Sequence, residues 1–468
     1  MRHAKTTSDI NMLRLIFFIF LTGCCFISKA QQSDFAKDSS AKKLDDYLVS
    51  ANKAYKLNGS VLIAQKGQIL LRKAYGLANV TSRILNDTLT HFPILSVTKS
   101  FTAIMILKLQ EEGKLSIKDK LSKYFPDYKY GDKITLENLL THTSGIPNYT
   151  DAVGEEDSAI VNHPVSKEKI EETFFTKPLE FKPGSRYSYN NSGYFLLGLI
   201  IEKVTGQPYE QVIKENIFAP LQMTNSGFDF NNLPENIRAQ GYNIFDTIQQ
   251  RPYKHYDSTY AYSAGAIYST TGDLYKFAQA IASKKILTPN TWQIAFQSRI
   301  NQYGYGWKTG NLFGRDYIRH DGGYPGFMSE FIYFPKENVT IIMLNNFGNY
   351  GQNIWATAMG IASILFNLPY DLWQLRVEQK IDVNILKQYV GLFKLNKKTG
   401  LSITYKKGQL YMKGVGNSQA PELPLLCEAD NKFFLRDFNT TFTFLKDGNS
   451  FRLVIHEHGL DSEWNEEK

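Results

Sequence analysis

Cysteine is scarce in this chain of 468 residues: there are three, and Cys24 and Cys25 both fall within the first thirty. Only Cys427 lies further on, so an internal disulfide and a thiolate metal site are excluded there, and stability must come from the core. No fixed-period repeat, low-complexity tract or long run of like charge is present, which argues against a repeat array or extended disorder beyond the N-terminus. Long apolar runs are missing as well. The candidate stretch, from Leu15 to about Ile27, is too short to span a bilayer comfortably. The formal charge is +8, but Arg2, Lys5, Arg14 and Lys29 against Asp9 put a net +3 of it in the first thirty residues. The remaining +5 is scattered, so nucleic acid is not an expected partner.

Apolar and aromatic residues are abundant, 43% and 14% of the chain, enough for one large core or a large domain with a small one beside it. Residues 1–30 read as a secretory signal: basic residues, the apolar run, then Ser28-Lys29-Ala30 with small residues at both cleavage-determining positions. This predicts a periplasmic or secreted protein, cleaved after Ala30. Leu21-Thr22-Gly23-Cys24 also resembles a bacterial lipobox, so a membrane tether through a lipidated Cys24 is the competing expectation; the apolar residues that continue past Cys24 oppose it.

Leu44, Leu48 and Tyr55 predict a helix over 42–56, and the runs Val61–Ala64 and Ile69–Leu71 around Lys66-Gly67 predict a β-hairpin. After Ser96, Phe101, Ile104, Met105 and Leu109 recur at helical spacing up to Gly113, and a second helix is predicted from about Ser192 to Val204. Phe331–Phe334 and Thr340–Leu344 read as strands. Helices between early and late strands predict one sheet assembled from both ends of the chain, an α/β (α+β) layout. Beyond residue 380 short strands and turns predict a small separate β domain.

Ser96-Val97-Thr98-Lys99 opens the first of these helices and puts Ser96 and Lys99 on one face. A serine hydroxyl needs a neighbouring base, and a lysine in a desolvated pocket can serve as one because its pKa falls. Alone the pattern is unspecific, since a capping Ser and a solvated Lys share this spacing in many helices. The surrounding Phe92-Pro93-Ile94-Leu95-Ser96-Val97-Thr98-Lys99-Ser100-Phe101 resembles the first signature of the serine β-lactamase-like, penicillin-binding superfamily, which includes class C β-lactamases, D-alanyl-D-alanine carboxypeptidases, D-aminopeptidases and esterases. Leu139–Pro147, Tyr187-Ser188-Tyr189-Asn190-Asn191-Ser192-Gly193-Tyr194, Ile217–Met223 and Ser263-Ala264-Gly265-Ala266 are similar to later family segments, in the family's order. His320-Asp321-Gly322-Gly323 resembles its third signature. Literal Lys-Thr-Gly triplets occur at 308–310 and 398–400, but the first, after a strand-like Tyr303–Trp307, reads as a hairpin turn, and the second lies outside the catalytic part.

The resemblance implies a β-lactamase/transpeptidase-like fold: an antiparallel sheet flanked by helices and an all-helical lobe over residues 31–375, with a β-barrel-like domain over 385–468. It implies a cofactor-free hydrolase, with no metal, that cleaves an amide or ester in a small-molecule or cell-wall-derived peptide substrate. Ser96, Lys99 and Tyr189 would be catalytic. Asn191, His320, Asp321, Gly322 and Gly323 would bind substrate, with the N–H groups of Ser96 and Gly323 as the oxyanion hole. Two cations beside Tyr189 would draw its phenol down towards the working range. Asp321, aimed into the cleft, would repel carboxylate-bearing substrates. The competing readings are a non-catalytic sensor of cell-wall peptides and a true β-lactamase.

Overall fold

The computed structural model describes residues 39–152, 161–245, 249–348, 354–416 and 421–467; the predicted signal, with Cys24 and Ala30, lies outside them. A first helix, α1 (39–53), leads into the hairpin β1 (Gly59–Gln65) and β2 (Gln68–Tyr75). Lys66 and Gly67 both take positive φ there, 52° and 77°, the twist that a tight antiparallel turn needs. Late in the chain β3 (Lys308–Leu312), β4 (Arg315–Tyr324), β5 (Phe327–Phe334) and β6 (Val339–Asn345) form a meander. β6 pairs with β1, Gly59 opposite Asn345 and Gln65 opposite Val339, which gives a six-stranded antiparallel sheet in the order β2-β1-β6-β5-β4-β3.

The central strands are apolar along almost their whole length because both faces are covered. One face, with Val61, Ile63, Ile341 and Met343, packs against α1 and against α6 (Trp355–Leu365). The other, with Leu62, Phe331, Ile342 and Leu344, packs against the rest of the helices. These include α2 (Thr98–Glu111), α3 (Asn191–Thr205), α4 (Ser258–Gly265) and α5 (Thr271–Ala282). Gly198 lets α3 and α4 touch, since a Cβ there would stand 2.1 Å from the Ser263 hydroxyl.

Two local expectations are overturned. Tyr303–Trp307 is not a strand but a bent loop in which Gly306 takes φ 78°, and Lys308-Thr309-Gly310 is not a turn but the start of β3, with Lys308 opposite Arg319 of β4. The turn falls later, at Phe313-Gly314, where both φ values are positive.

Residues 391–467 form a closed eight-stranded barrel, β7 (Gly391–Lys394), β8 (Gly400–Lys406), β9 (Gln409–Gly414), β10 (Leu423–Ala429), β11 (Lys432–Phe434), β12 (Thr441–Asp447), β13 (Ser450–Glu457) and β14 (Leu460–Glu467). β7 closes on β14, which removes the free sheet edges. Phe393, Phe433, Phe444 and Leu453 fill it. The strap joining the two parts is fastened to both. Trp373 is buried against the helices of the six-stranded sheet and donates to the Tyr47 hydroxyl at 2.9 Å, while Arg376 grips both oxygens of the barrel's Glu428 at 2.8 Å.

Candidate active site

The site is built on a strained turn. Leu95 has φ 54°, in the left-handed region that costs a residue with a Cβ, and it is held there by burial. Gly322 of β4 presses against this turn: a Cβ on it would meet the Leu95 Cβ and the Ile94 carbonyl at 2.6 Å. Ile94 O also accepts from Ser329 of β5 at 2.7 Å. Ser96 thus begins as one turn of 3-10 helix that runs on into α2, and its side chain faces a cavity of about 250 Å³.

Lys99 lies beneath it, fully buried, with Nζ 3.0 Å from Ser96 Oγ. Its second partner is the Ala264 carbonyl at 2.7 Å. That carbonyl is available because α4 is broken at Tyr262 (φ 41°, ψ −133°), which turns Ser263 O and Ala264 O outward to Thr102 and Lys99. Burial, with Lys308 nearby, holds the Lys99 ammonium well below its ordinary pKa. Its Nζ also sits 5.0 Å above the Tyr189 ring and 5.7 Å from that of Tyr194.

Tyr189 and Asn191 flank Asn190, which caps α3 by accepting from Gly193 N at 2.8 Å. The cap fixes the direction of both neighbours. Burial pushes the Tyr189 phenol well above its ordinary range, against the smaller opposing pull of the neighbouring Ser96. The expectation of a phenol drawn downward by cations is therefore corrected: desolvation lowers the pKa of the lysine and raises that of the phenol. Asn191 lines the cavity with Ser96, and its amide is spent on Thr150 Oγ1 at 3.0 Å.

The third signature divides its residues between two faces of β4. Gly323 lines the cavity and has open space where a side chain would stand. His320 is fully buried, and both its nitrogens are engaged. Nδ1 faces the Asp321 carbonyl at 2.7 Å and so carries the hydrogen, which leaves Nε2 to accept from the Tyr303 hydroxyl at 2.9 Å. Burial and Lys308 push its pKa down to about 3. As placed, His320 is a neutral group behind the cleft wall, not a substrate contact, and Gly322 likewise packs inward on the nucleophile turn. Asp321 departs furthest from expectation. It pairs with Lys308 and with Arg319 Nη2 at 3.1 Å, and these cations, against the opposing effect of burial, hold its carboxyl down to about 2. It is absent from the cavity wall, so its charge is neutralised rather than aimed at a substrate.

Three supporting residues were not assigned from sequence. His142 (φ 56°) accepts from Asn190 N at 3.1 Å through Nδ1 and lies 4.3 Å from the Tyr189 ring, bracing the segment that carries the phenol. Tyr303 fixes His320. Lys308 neutralises Asp321. The Leu139–Pro147 match held the signal for the first; Lys308 depends on strand pairing and Tyr303 on the loop that leads into that strand. Among the described residues no three His, Cys, Asp or Glu side chains converge as metal ligands would.

A serine on a helix start, a buried lysine, a tyrosine from the next segment and a glycine-bearing strand edge are arranged as in the penicillin-recognising class of folds. The Beta-lactamase family model matches residues 44–357, and the chain belongs to that family. It is 29% identical over 453 residues to penicillin-binding protein 4* of Bacillus subtilis (strain 168), a match that covers 91% of this chain and 99% of the relative. Its fold is similar to that of the octameric penicillin-binding protein homologue from Pyrococcus abyssi, with TM-score 0.64 and 26% identity over 90% of this chain and 99% of the other. A D-amino acid amidase from Ochrobactrum anthropi shares the fold at TM-score 0.61 and 21% identity, covering 71% of this chain and 99% of its own.

Proposed function

We propose that the protein is an exported serine hydrolase that cleaves an amide or ester through an acyl-enzyme on Ser96. The observation that carries this reading is the Lys99 Nζ 3.0 Å from Ser96 Oγ, with the Tyr189 ring 5.0 Å from the same amine. In the neutral state Lys99 keeps one hydrogen on Ala264 O and turns its lone pair to Ser96. Ser96 Oγ attacks the carbonyl carbon while its proton passes to Lys99, and the N–H groups of Ser96 and Gly323 receive the oxyanion. As the tetrahedral centre collapses, the bond to the leaving nitrogen or oxygen breaks and Tyr189 donates its proton there. The phenolate is reprotonated from Lys99. Water then attacks the ester carbonyl, its proton is taken by the same pair, and Ser96 leaves with a proton restored.

No cation lines the cavity among the described residues, and the place of a strand lysine is held by a neutral imidazole. This supports esters or amides without a carboxylate beside the scissile bond over penicillins, in place of the repulsion first attributed to Asp321. The envelope location rests on the first thirty residues, with lipidation at Cys24 as its variant. A fluorophosphonate probe should label the wild type and not Ser96→Ala, and turnover of p-nitrophenyl esters should vanish in the same variant. Labelling that survives the substitution would reject Ser96 as the nucleophile.

A further inference from the structure

One wall of the cavity beside Ser96 is a turn, residues 146–151, stitched to the start of α3. Asn190 Nδ2 donates to Ile146 O at 2.6 Å, and Ser192 Oγ donates to Pro147 O and accepts from Tyr149 N, both at 2.8 Å. Asn191 N donates to Asn148 Oδ1 at 2.9 Å, which satisfies an N–H of the first helical turn and fixes the sense of the Asn148 amide. The nitrogen of that amide therefore faces the other way, where it donates to Thr150 Oγ1 at 2.7 Å and to Asp151 Oδ1 at 3.0 Å. Asn191 Nδ2 donates to the same Thr150 oxygen at 3.0 Å. A threonine hydroxyl has two lone pairs and one hydrogen, and here both lone pairs are taken by amide donors. The hydrogen is left pointing away from them. It meets no acceptor among the described residues, and Thr150, half-buried, lines the cavity together with Ser96, Asn191 and Gly323. Two other hydroxyls of the lining do not share this freedom: Tyr149 donates to Tyr260 O at 2.9 Å and Tyr256 to Gly265 O at 2.8 Å. A donor whose oxygen is gripped from behind has lost most of its rotational freedom before a ligand arrives, so it costs little to engage.

We propose that Thr150 is a specificity-determining residue whose hydroxyl donates to the acyl group of the substrate, and that the enzyme favours acyl chains with an oxygen where a plain alkyl chain has a methylene. The proposal rests on the acyl-transfer reading above and deepens it. The same hydroxyl holds the Asn191 amide, so Thr150 is a positioning residue as well; the bond-making steps stay with Ser96, Lys99 and Tyr189.

The test uses two pairs of p-nitrophenyl esters matched in size, methoxyacetate with butanoate and 3-methoxypropanoate with pentanoate, so that the acceptor oxygen is offered at two distances from the scissile carbonyl. The ether also changes the intrinsic reactivity of the ester, and that effect cancels when the ratio of kcat/KM within a pair is compared between proteins. Thr150→Val keeps the shape of the side chain and removes the hydroxyl; in at least one pair it should lower the ether-to-alkyl ratio about three- to tenfold, the range for one neutral hydrogen bond. Thr150→Ser should restore the ratio. If the hydroxyl serves only to hold Asn191, both members of each pair fall together and the ratio stays constant, which overturns the proposal. Should Thr150→Val melt at a lower temperature than the wild type, Thr150→Ala, measured against Thr150→Ser, supplies the same ratio. Fluorophosphonate labelling separates the two readings. Labelled Ser96 with an unchanged ratio rejects the role of Thr150 alone, whereas a wild type that is neither labelled nor active on any of the four esters rejects acyl transfer and this role with it.

Discussion

The catalytic part and the barrel treat ionisable groups in opposite ways, as one histidine from each makes plain. His320 is sealed in, and burial drives it neutral. His456 of the barrel is partly exposed and stands between Asp371 of the strap, 3.0 Å from Nε2, and Asp461, 2.6 Å from Nδ1. Its hydrogen bonds to these carboxylates raise its pKa. In the first region desolvation sets the protonation state; in the second, partners do. Desolvated groups are costly to keep and chemically active, whereas solvated pairs are cheap and contribute little. The difference separates a region of sealed, desolvated groups from one of solvated, paired groups.

The sharpest test of that contrast is Lys99→Met. Activity should fall by about a hundredfold or more, since a positioned base is removed, while thermal stability should hold or rise because a buried amine gives way to an apolar chain of similar length. The sign of the pH dependence follows. The folded Lys99 pKa is depressed, so the unfolded chain binds the extra proton, and stability should rise with pH between the folded value and the ordinary lysine range. Lys99→Met should flatten that slope in calorimetric melts; an unchanged slope together with a lower melting temperature would break the comparison.

Next in size are two arginines. Arg319 holds the fully buried Glu330 in a fork of 2.9 and 2.7 Å, so Arg319→Ala should cost about 3–5 kcal/mol by leaving a carboxylate without its partner. Arg376 reaches both oxygens of the more exposed Glu428 through one nitrogen, and Arg376→Ala should cost about 1 kcal/mol or less in denaturant titration. Equal costs would remove the distinction.

The division at the strap is itself a proposal, and a chain ending after Leu375 tests it. Because Trp373 belongs to the catalytic core, that truncation should stay folded and keep kcat/KM for a small ester within about tenfold. An earlier end that removes Trp373 should lose several kcal/mol. The smallest effect is expected for His456→Gln. The clamp's contribution is complete below the unfolded histidine pKa and is lost as pH rises through the raised folded value. The variant should therefore lower the melting temperature slightly at pH 6 and not at pH 9.

Much of this was legible in the chain where the information is local. The hairpin at Lys66-Gly67, the Ser96 helix, the helix from about Ser192 and the last two strands of the late meander follow from periodicity and turn chemistry, and Ser96, Lys99, Tyr189, Asn191 and Gly323 do converge. Asp321 was misjudged because its partner Lys308 is thirteen residues away and reaches it only through the β3–β4 register. The same triplet looked like a turn because Lys-Thr-Gly carries turn residues; pairing with β4 overrode that preference. The direction of the Tyr189 pKa was missed because composition counts nearby cations but does not measure desolvation. Leu95 and Tyr262 show it most clearly, since nothing in either residue announces a positive φ and the surrounding packing imposes it.

The sheet order has a consequence in time. β1, from residues 59–65, is flanked on one side by β2 and on the other by β6, from residues 339–345, and the turn that carries Ser96 is braced by Gly322 and Ser329. A chain emerging N-terminus first therefore presents its serine and lysine more than two hundred residues before the strands that hold them in place. Until those strands arrive, β1 has an unfilled edge and the strained turn has nothing to press against it. The growing polypeptide thus lacks an assembled site by construction: its serine and lysine are braced only when its late strands close over its early ones.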